Sequence, residues 1–320
     1  MKVSFIATIL NEEKTIISLL TSLAKQTQKP DEIIIVDGGS IDKTITKIKA
    51  FQKKHPQIKI RLFFKKGANR SQGRNLAIKK AKNEIIAISD AGCELDKNWL
   101  KNIIQPFKDP SIKVTAGYYK PKAESIFQKC VATYALIVPH RVKPKKFLPT
   151  SRSMAILKKT WKKFAGFPEK FPDNEDFVFA NTLKKGKAKI VFIKNALVYW
   201  YPRSNLKSFW IMIYRFAKGD AFAGLRYPKT ATVLGRYLIG ALLLIFSFKH
   251  HYLLFYWLFC ALVYLIWPIF KNYRYIKKWP ALFLLPLLQI ITDTAIILGT
   301  IKGIAKKIIC RIIKNKNGPL

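Results

Sequence analysis

The sequence is poor in acid. Asp and Glu together number 18 of 320 residues against 58 Lys and Arg, a formal charge of +40. Such a balance ordinarily points to a polyanion or an anionic membrane as partner. Yet the lysines are scattered, no recognisable nucleic-acid module accompanies them, and only the stretch from Lys302 to Lys316 is dense. Solvated lysine faces and attraction to acidic head groups account for that distribution, so no specific nucleic-acid partner is expected. Paired cysteines are also missing. Cys93, Cys130, Cys260 and Cys310 lie far apart, which fits no CxxC site or disulfide framework and suits a reducing compartment. There is no internal repeat. The apolar run from Val3 to Leu10 follows Lys2 but leads into Asn11-Glu12-Glu13 with no small-residue cleavage site. It reads as a buried strand, which leaves the front of the chain in the cytoplasm.

What is present is alternation. Short β-rich runs at 3–10, 32–37, 58–64 and 84–90 are separated by helical patterns, the arrangement that gives a mostly parallel sheet with helices on both faces. Asn11 can cap the first helix and Asp42 the second. Ligands of such a sheet sit beyond the carboxyl ends of its strands, where Asp37 and Asp90 both stand. From 114 to 201 the pattern is mixed: a strand at 114–118, a helix at 124–138, a Pro/Lys-rich loop, a helix at 174–185 and two strands at 189–193 and 196–201. Leu206 to Ala223 is aromatic with Arg215 and Lys218 interleaved, which suits a helix at a membrane interface or one packed under the front domain. Stretches 233–248, 252–270 and 281–301 approach the roughly 20 residues that cross a bilayer. The third contains Pro286 and Asp293, so it reads as a span, a broken helix or a re-entrant segment, with Asp293 facing protein. If all three cross, the basic tail ends outside, against the positive-inside rule. The expected division is a front domain at 1–203, an interface helix and linker at 204–230, two to three membrane helices at 231–301 and a basic tail at 302–320.

Three blocks in order carry a resemblance. FIATILNEEKTIISLLTSLAKQ with DEIIIVDGGSIDKT, then GANRSQGRNLAIKKAKNEIIAISDAGC, then FAGFPEKFPDNEDF together resemble the inverting family 2 glycosyltransferases with the GT-A fold. The resemblance implies a Rossmann-like α/β domain that binds a nucleotide-sugar donor, a UDP-sugar by preference, followed here by an all-α membrane region. It implies that Asp37, with Thr8 and Glu12, holds the base and ribose, and that Arg74, or its neighbour Arg70, meets the phosphates. Asp90 would be the first acid of a DxD motif that holds Mg²⁺ or Mn²⁺, although the second acid is replaced by Gly92. Asp176, with Glu175 as the near alternative, would be the base that takes the acceptor's proton during direct displacement. Arg215 would lie near the diphosphate. Bland alternatives stand beside these: Asp37 can cap the Gly38-Gly39-Ser40 turn, Arg74 can sit in a surface ion pair, and Asp176 can cap the helix it begins.

The expected enzyme is therefore a hexosyltransferase of the cytoplasmic membrane, its catalytic domain facing the cytoplasm, acting on a lipid-linked or glycan acceptor in the cell envelope. The QxxRW motif of processive synthases is absent, which disfavours that class. Alternatives are a polyprenyl-phosphate sugar synthase and a non-catalytic membrane protein with a degenerate transferase domain.

Overall fold

The run Glu32–Asp37 is buried at every position, as a strand covered on both faces must be. It belongs to a first unit made of Met1–Lys122 and Val138–Tyr201. The computed structural model describes residues 1–136, 138, 141–225 and 227–316. In chain order the first unit contains β1 (Val3–Ile9), α1 (Ile16–Ala24), β2 (Glu32–Asp37), α2 (Thr44–Lys54), β3 (Ile60–Phe64), α3 (Arg70–Lys80), β4 (Ile85–Ile88), β5 (Cys93–Leu95), α4 (Trp99–Ile104) and β6 (Val114–Pro121). Helix α5 (Ile126–Ala135) leaves it, and β7 (Met154–Leu157), α6 (Lys158–Lys163), α7 (Glu175–Lys185) and β8 (Ile190–Trp200) complete it.

One sheet of eight strands runs β3-β2-β1-β4-β7-β6-β8-β5. β1 to β4 pair in parallel, β7 runs antiparallel to β4 and β6, and β6 is parallel to β8. Alternate residues face opposite sides. Ile6, Ile34, Ile86, Ile88 and Ile156 pack with Ala77 and Ile78 of α3 and Phe179 and Leu183 of α7, whereas Phe5, on the other face of β1, meets the Trp99 ring edge-on. Helices thus cover both faces, the α/β architecture expected.

Several local expectations are corrected. α1 begins at Ile16 behind Thr15, not behind Asn11; Asn11 adopts a positive φ and its Oδ1 accepts from Ile41 N instead. Asp42 lies one residue outside the cap position of α2, yet its Oδ1 accepts Thr44 N at 3.0 Å. The two strands at 189–193 and 196–201 are one strand, β8, whose register against β6 shifts between Gly117 and Tyr118. That bulge interrupted the alternation on which the reading as two strands rested. β5 and β7, of 3 and 4 residues, were not anticipated.

The second unit comprises Ala123–Ile137 and Pro202–Leu320. With α5 it holds α8 (Leu206–Ala223), α9 (Tyr227–Ser247), α10 (Tyr252–Asn272) and α11 (Ala281–Lys316). Windows in α9, α10 and α11 are long and apolar enough to cross a membrane. Pro286 does not break α11, and the segment expected as a separate tail continues its helix to Lys316. Gly299 and Gly303 of α11 lie against α8: a Cβ on Gly299 would stand 2.5 Å from the Tyr214 carbonyl oxygen, and one on Gly303 would be as crowded by Lys218. This G-x-x-x-G spacing lets two helix backbones approach. Asp293 is 1% exposed and faces protein, bonded to groups of all three apolar helices.

Candidate active site

Ligands of a parallel sheet bind in the crevice beyond the carboxyl ends of its strands, here those of β1, β2 and β4, and three features of the chain shape that place. Gly73 lets the start of α3 close on β1, because a Cβ there would sit 2.6 Å from Thr8 Cγ2. Asn69 and Gln72 form a reciprocal capping box that fixes the first turn of α3. Antiparallel pairing of Ile88 with Met154, continued two residues, brings Arg152 opposite Asp90, and Ser89 Oγ donates to the Arg152 carbonyl at 2.8 Å.

Arg74 is the hub. It is 2% exposed and its Nη1 donates to Glu175 Oε1. Its Nη2 donates to Asp90 Oδ1 and to Ser151 Oγ, both at 2.9 Å. Ser151 extends the network: its backbone N and Oγ each donate to Asp176 Oδ2 at 3.1 Å, and Oγ also reaches Asp90 Oδ2 at 3.3 Å. Arg74 therefore sits in a buried ion pair rather than a surface one. Burial would lower its pKa, but the charges of Glu175, Asp90 and Asp176 push it well up. Burial likewise raises the Glu175 carboxyl, against the pull of Arg74. For Asp90 burial also works against ionisation, but the guanidinium groups of Arg74, Arg152 and Arg70 together hold it below the ordinary carboxylate range.

The two acids at the start of α7 divide. Glu175 is 2% exposed and engaged by Arg74. Asp176 is half-buried, its Oδ1 accepting, among the described residues, only the neighbouring Phe177 N at 2.8 Å. Asp176, Asp90, Arg74 and Ser151 thus meet in one network. The other residues singled out from the sequence are arranged differently. Asp37 is 1% exposed and both its oxygens accept from the turn that follows, from Gly39 N, Ser40 N and Ser40 Oγ. Glu12 Oε2 accepts from Thr15 Oγ1 at 2.6 Å. Thr8 lies at the β1 end against Gly73, Arg70 is exposed at the start of α3, and Arg215 belongs to α8 in the second unit.

Sequence reasoning missed Arg152 and Ser151. The Arg152 guanidinium lies over the rings of Tyr119 and Trp200, at 5.4 and 5.2 Å from their centroids. These rings come from paired strands, Trp200 standing two positions beyond the partner of Tyr119.

A divalent cation at Asp90 is what the resemblance implies, and the donor set can be tested for it. Among the described residues no three His, Cys, Asp or Glu side chains gather to hold a metal. The Asp90 oxygens already take Arg74 and Ser151, and Gly92 offers no ligand where the second acid would stand. These residues do not fit a resident divalent cation.

Comparison with known proteins completes the picture. Residues 4–157 match the family described as "Glycosyl transferase family 2". The chain is 28% identical over 123 residues to the glycosyltransferase GlyG of Streptococcus pneumoniae serotype 4, covering 38% of this chain and 40% of that protein. It is 32% identical over 108 residues to a dolichyl N-acetyl-alpha-D-glucosaminyl phosphate 3-beta-D-2,3-diacetamido-2,3-dideoxy-beta-D-glucuronosyltransferase of Methanococcus voltae, covering 33% of this chain and 34% of that one. The matches therefore span well under half of either relative. The solved structure of the mannosyltransferase PcManGT from Pyrobaculum calidifontis, in complex with GDP-Man and Mn²⁺, shares the fold with a TM-score of 0.62 at 17% identity, over 96% of this chain and 88% of that one.

Proposed function

We propose that this chain, which belongs to glycosyl transferase family 2 through its domain at residues 4–157, is a membrane-attached inverting glycosyltransferase. It moves a sugar from a nucleoside diphosphate donor to a lipid-linked or membrane-proximal acceptor. The observation that carries this reading is the unequal pair at the head of α7. Glu175 is buried and held by Arg74, which leaves Asp176 as the accessible carboxylate beside Asp90 on the Ser151 network.

In the proposed reaction the acceptor hydroxyl oxygen attacks the anomeric carbon while the bond from that carbon to the diphosphate breaks, its electron pair leaving on the phosphate oxygen. Asp176 takes the hydroxyl proton as attack proceeds, which at neutral pH requires an ionised carboxylate. Ser151 orients Asp176 through two donated hydrogen bonds. Arg74 holds Glu175 and Asp90 in place and positions rather than reacts. Three apolar helices in the second unit support attachment to a bilayer; we place the front domain on the cytoplasmic side because the apolar run at its start lacks a small-residue cleavage site. The M. voltae relative is named for a dolichyl phosphate-linked acceptor, which supports a lipid-linked acceptor here.

Membranes containing the chain, given radiolabelled UDP-, GDP- and dTDP-sugars in turn, should transfer label from one donor into an organic-extractable product. Asp176→Asn should lower that transfer by about 10²- to 10⁴-fold while leaving nucleotide binding unchanged. Undiminished transfer by the variant would sink the assignment of the base.

A further inference from the structure

The most buried cation of the site is already matched. Arg74 gives its two terminal nitrogens to Glu175, Asp90 and Ser151. Arg152 is different. Among the described residues its guanidinium makes no ion pair within 4.0 Å and donates no hydrogen bond, and two aromatic faces hold it. Its main chain is fixed by Ser89 Oγ at 2.8 Å, so it stands across from Asp90 at the end of β4. A guanidinium stacked on rings is oriented without using its N–H groups. Five donors in a planar fork remain to meet an anion, and that fork matches phosphate oxygens two at a time.

Next to it lies the donor set that does not suit a resident metal. A diphosphate leaving group develops negative charge as its bond to the sugar breaks, and something in the site must meet that charge. We propose that Arg152 meets it: this guanidinium binds the donor's diphosphate and stabilises the departing oxygen, taking the part that a protein-held divalent cation plays elsewhere. The inference rests on the donor being a nucleoside diphosphate sugar. Asp90 and Asp176 lie near enough for their charges to act on Arg152, so the guanidinium is kept ionised and receives the diphosphate without becoming a lone buried charge. Arg70, exposed at the first turn of α3, adds positive charge that also acts on Asp90.

Isothermal titration of the detergent-purified full chain with UDP, GDP and dTDP, each compared with its nucleoside, in EDTA and again in excess Mn²⁺, tests this. One diphosphate should bind in EDTA, with Mn²⁺ changing its affinity by less than about threefold. Arg152→Ala should weaken that diphosphate by about tenfold or more while the nucleoside binds as before. Arg152→Gln, which keeps an amide over the two rings and should melt like the wild type, should show the same loss, and Arg152→Lys an intermediate one. A diphosphate that binds only with Mn²⁺, or an Arg152→Gln chain that binds it as tightly as wild type, overturns the assignment. So does a loss seen only with polyprenyl phosphate in detergent, which would place the fork on the acceptor. A chain that binds none of the three diphosphates takes the nucleotide-sugar reading down with it, whereas a metal-dependent diphosphate leaves that reading intact.

Discussion

Each unit of the chain ties an arginine to a carboxylate among several elements, and the two ties end differently. In the second unit Asp293 accepts from Arg236, from Tyr264 OH at 2.8 Å and from Gln289 Nε2 at 3.0 and 3.1 Å, while Tyr237 OH meets Tyr264 OH at 2.9 Å. Arg236 also lies over the Tyr264 ring. Partners from α9, α10 and α11 occupy one another around the buried Asp293, so the set joins three apolar helices. In the first unit Arg74, Glu175, Asp90 and Ser151 form an equally dense tie, but Arg152 retains its donors and the Asp90 side chain is 35% exposed. Similar ingredients thus serve two ends. One set, centred on a buried carboxylate, pins an apolar bundle; the other keeps a part-exposed carboxylate beside an arginine with spare donors, the arrangement on which the proposed diphosphate site rests.

The largest effects should come from breaking each tie at its least exposed member. Arg74→Met leaves Glu175 buried without its cation, which costs about 3–5 kcal/mol by the measure of buried pairs and should appear as a large fall in melting temperature. Asp293→Ala leaves Arg236, whose side chain is 39% exposed and still rests on a ring. That loss should be about 1–2 kcal/mol, the scale of interhelical polar bonds in bilayers. Thermal melts of both variants in detergent check the order. If Asp293→Ala is the more damaging, the bundle is held by charge rather than by packing, and the contrast between the units fails.

A smaller effect sharpens the open side of the crevice. A Cβ on Gly92 meets nothing within 4 Å, so Gly92→Asp supplies a second acid two residues from Asp90 without steric cost. In that variant Mn²⁺ should strengthen nucleoside diphosphate binding by about three- to tenfold, read by the same titrations. No response to Mn²⁺ would mean that the space beside Asp90 does not face the diphosphate.

The fold was legible where local physics decides it. Glu32–Asp37 and Leu206–Ala223 match their expected bounds, because a continuous β-branched run between turns and an aromatic run with helical spacing each have one stable form. The helix read at 124–138 exists as Ile126–Ala135, but its grouping with the second unit did not show. An amphipathic face announces that it is buried, not against what; here Tyr134 OH donates to the Leu285 carbonyl, 151 positions away. Asp90 was visible because it stands at a strand end, whereas Asp176 and Glu175 were visible only through the resemblance of the block FAGFPEKFPDNEDF. Arg152 was not, since its character depends on Tyr119 and Trp200 meeting across β6 and β8, and nothing in the local sequence Ser151-Arg152-Ser153 records that meeting. The one available signal was an arginine at the end of a predicted loop before an apolar run.

The smallest expected effect concerns pH, and it separates the two acids that share Arg74. The Asp90 carboxyl is held below its ordinary 3.8, burial being outweighed by Arg74, Arg152 and Arg70. Its contribution to stability is therefore present above 3.8 and lost as pH falls through the lower folded value. Glu175 is displaced the other way, raised above its ordinary 4.5 chiefly by burial. Its contribution is present below 4.5 and lost as pH rises through the folded value. Melting temperature followed from about pH 3 to 8 should then rise on leaving acid, and the Glu175 contribution should decline as pH rises from 4.5 through its raised folded value. Asp90→Asn should flatten the acid rise, and Glu175→Gln should flatten the decline, whatever each does to the absolute melting point. If Asp90→Asn leaves the acid limb as steep as in wild type, the guanidinium cluster is not what holds that carboxylate ionised, and the proposed diphosphate site loses the charge balance on which it was argued.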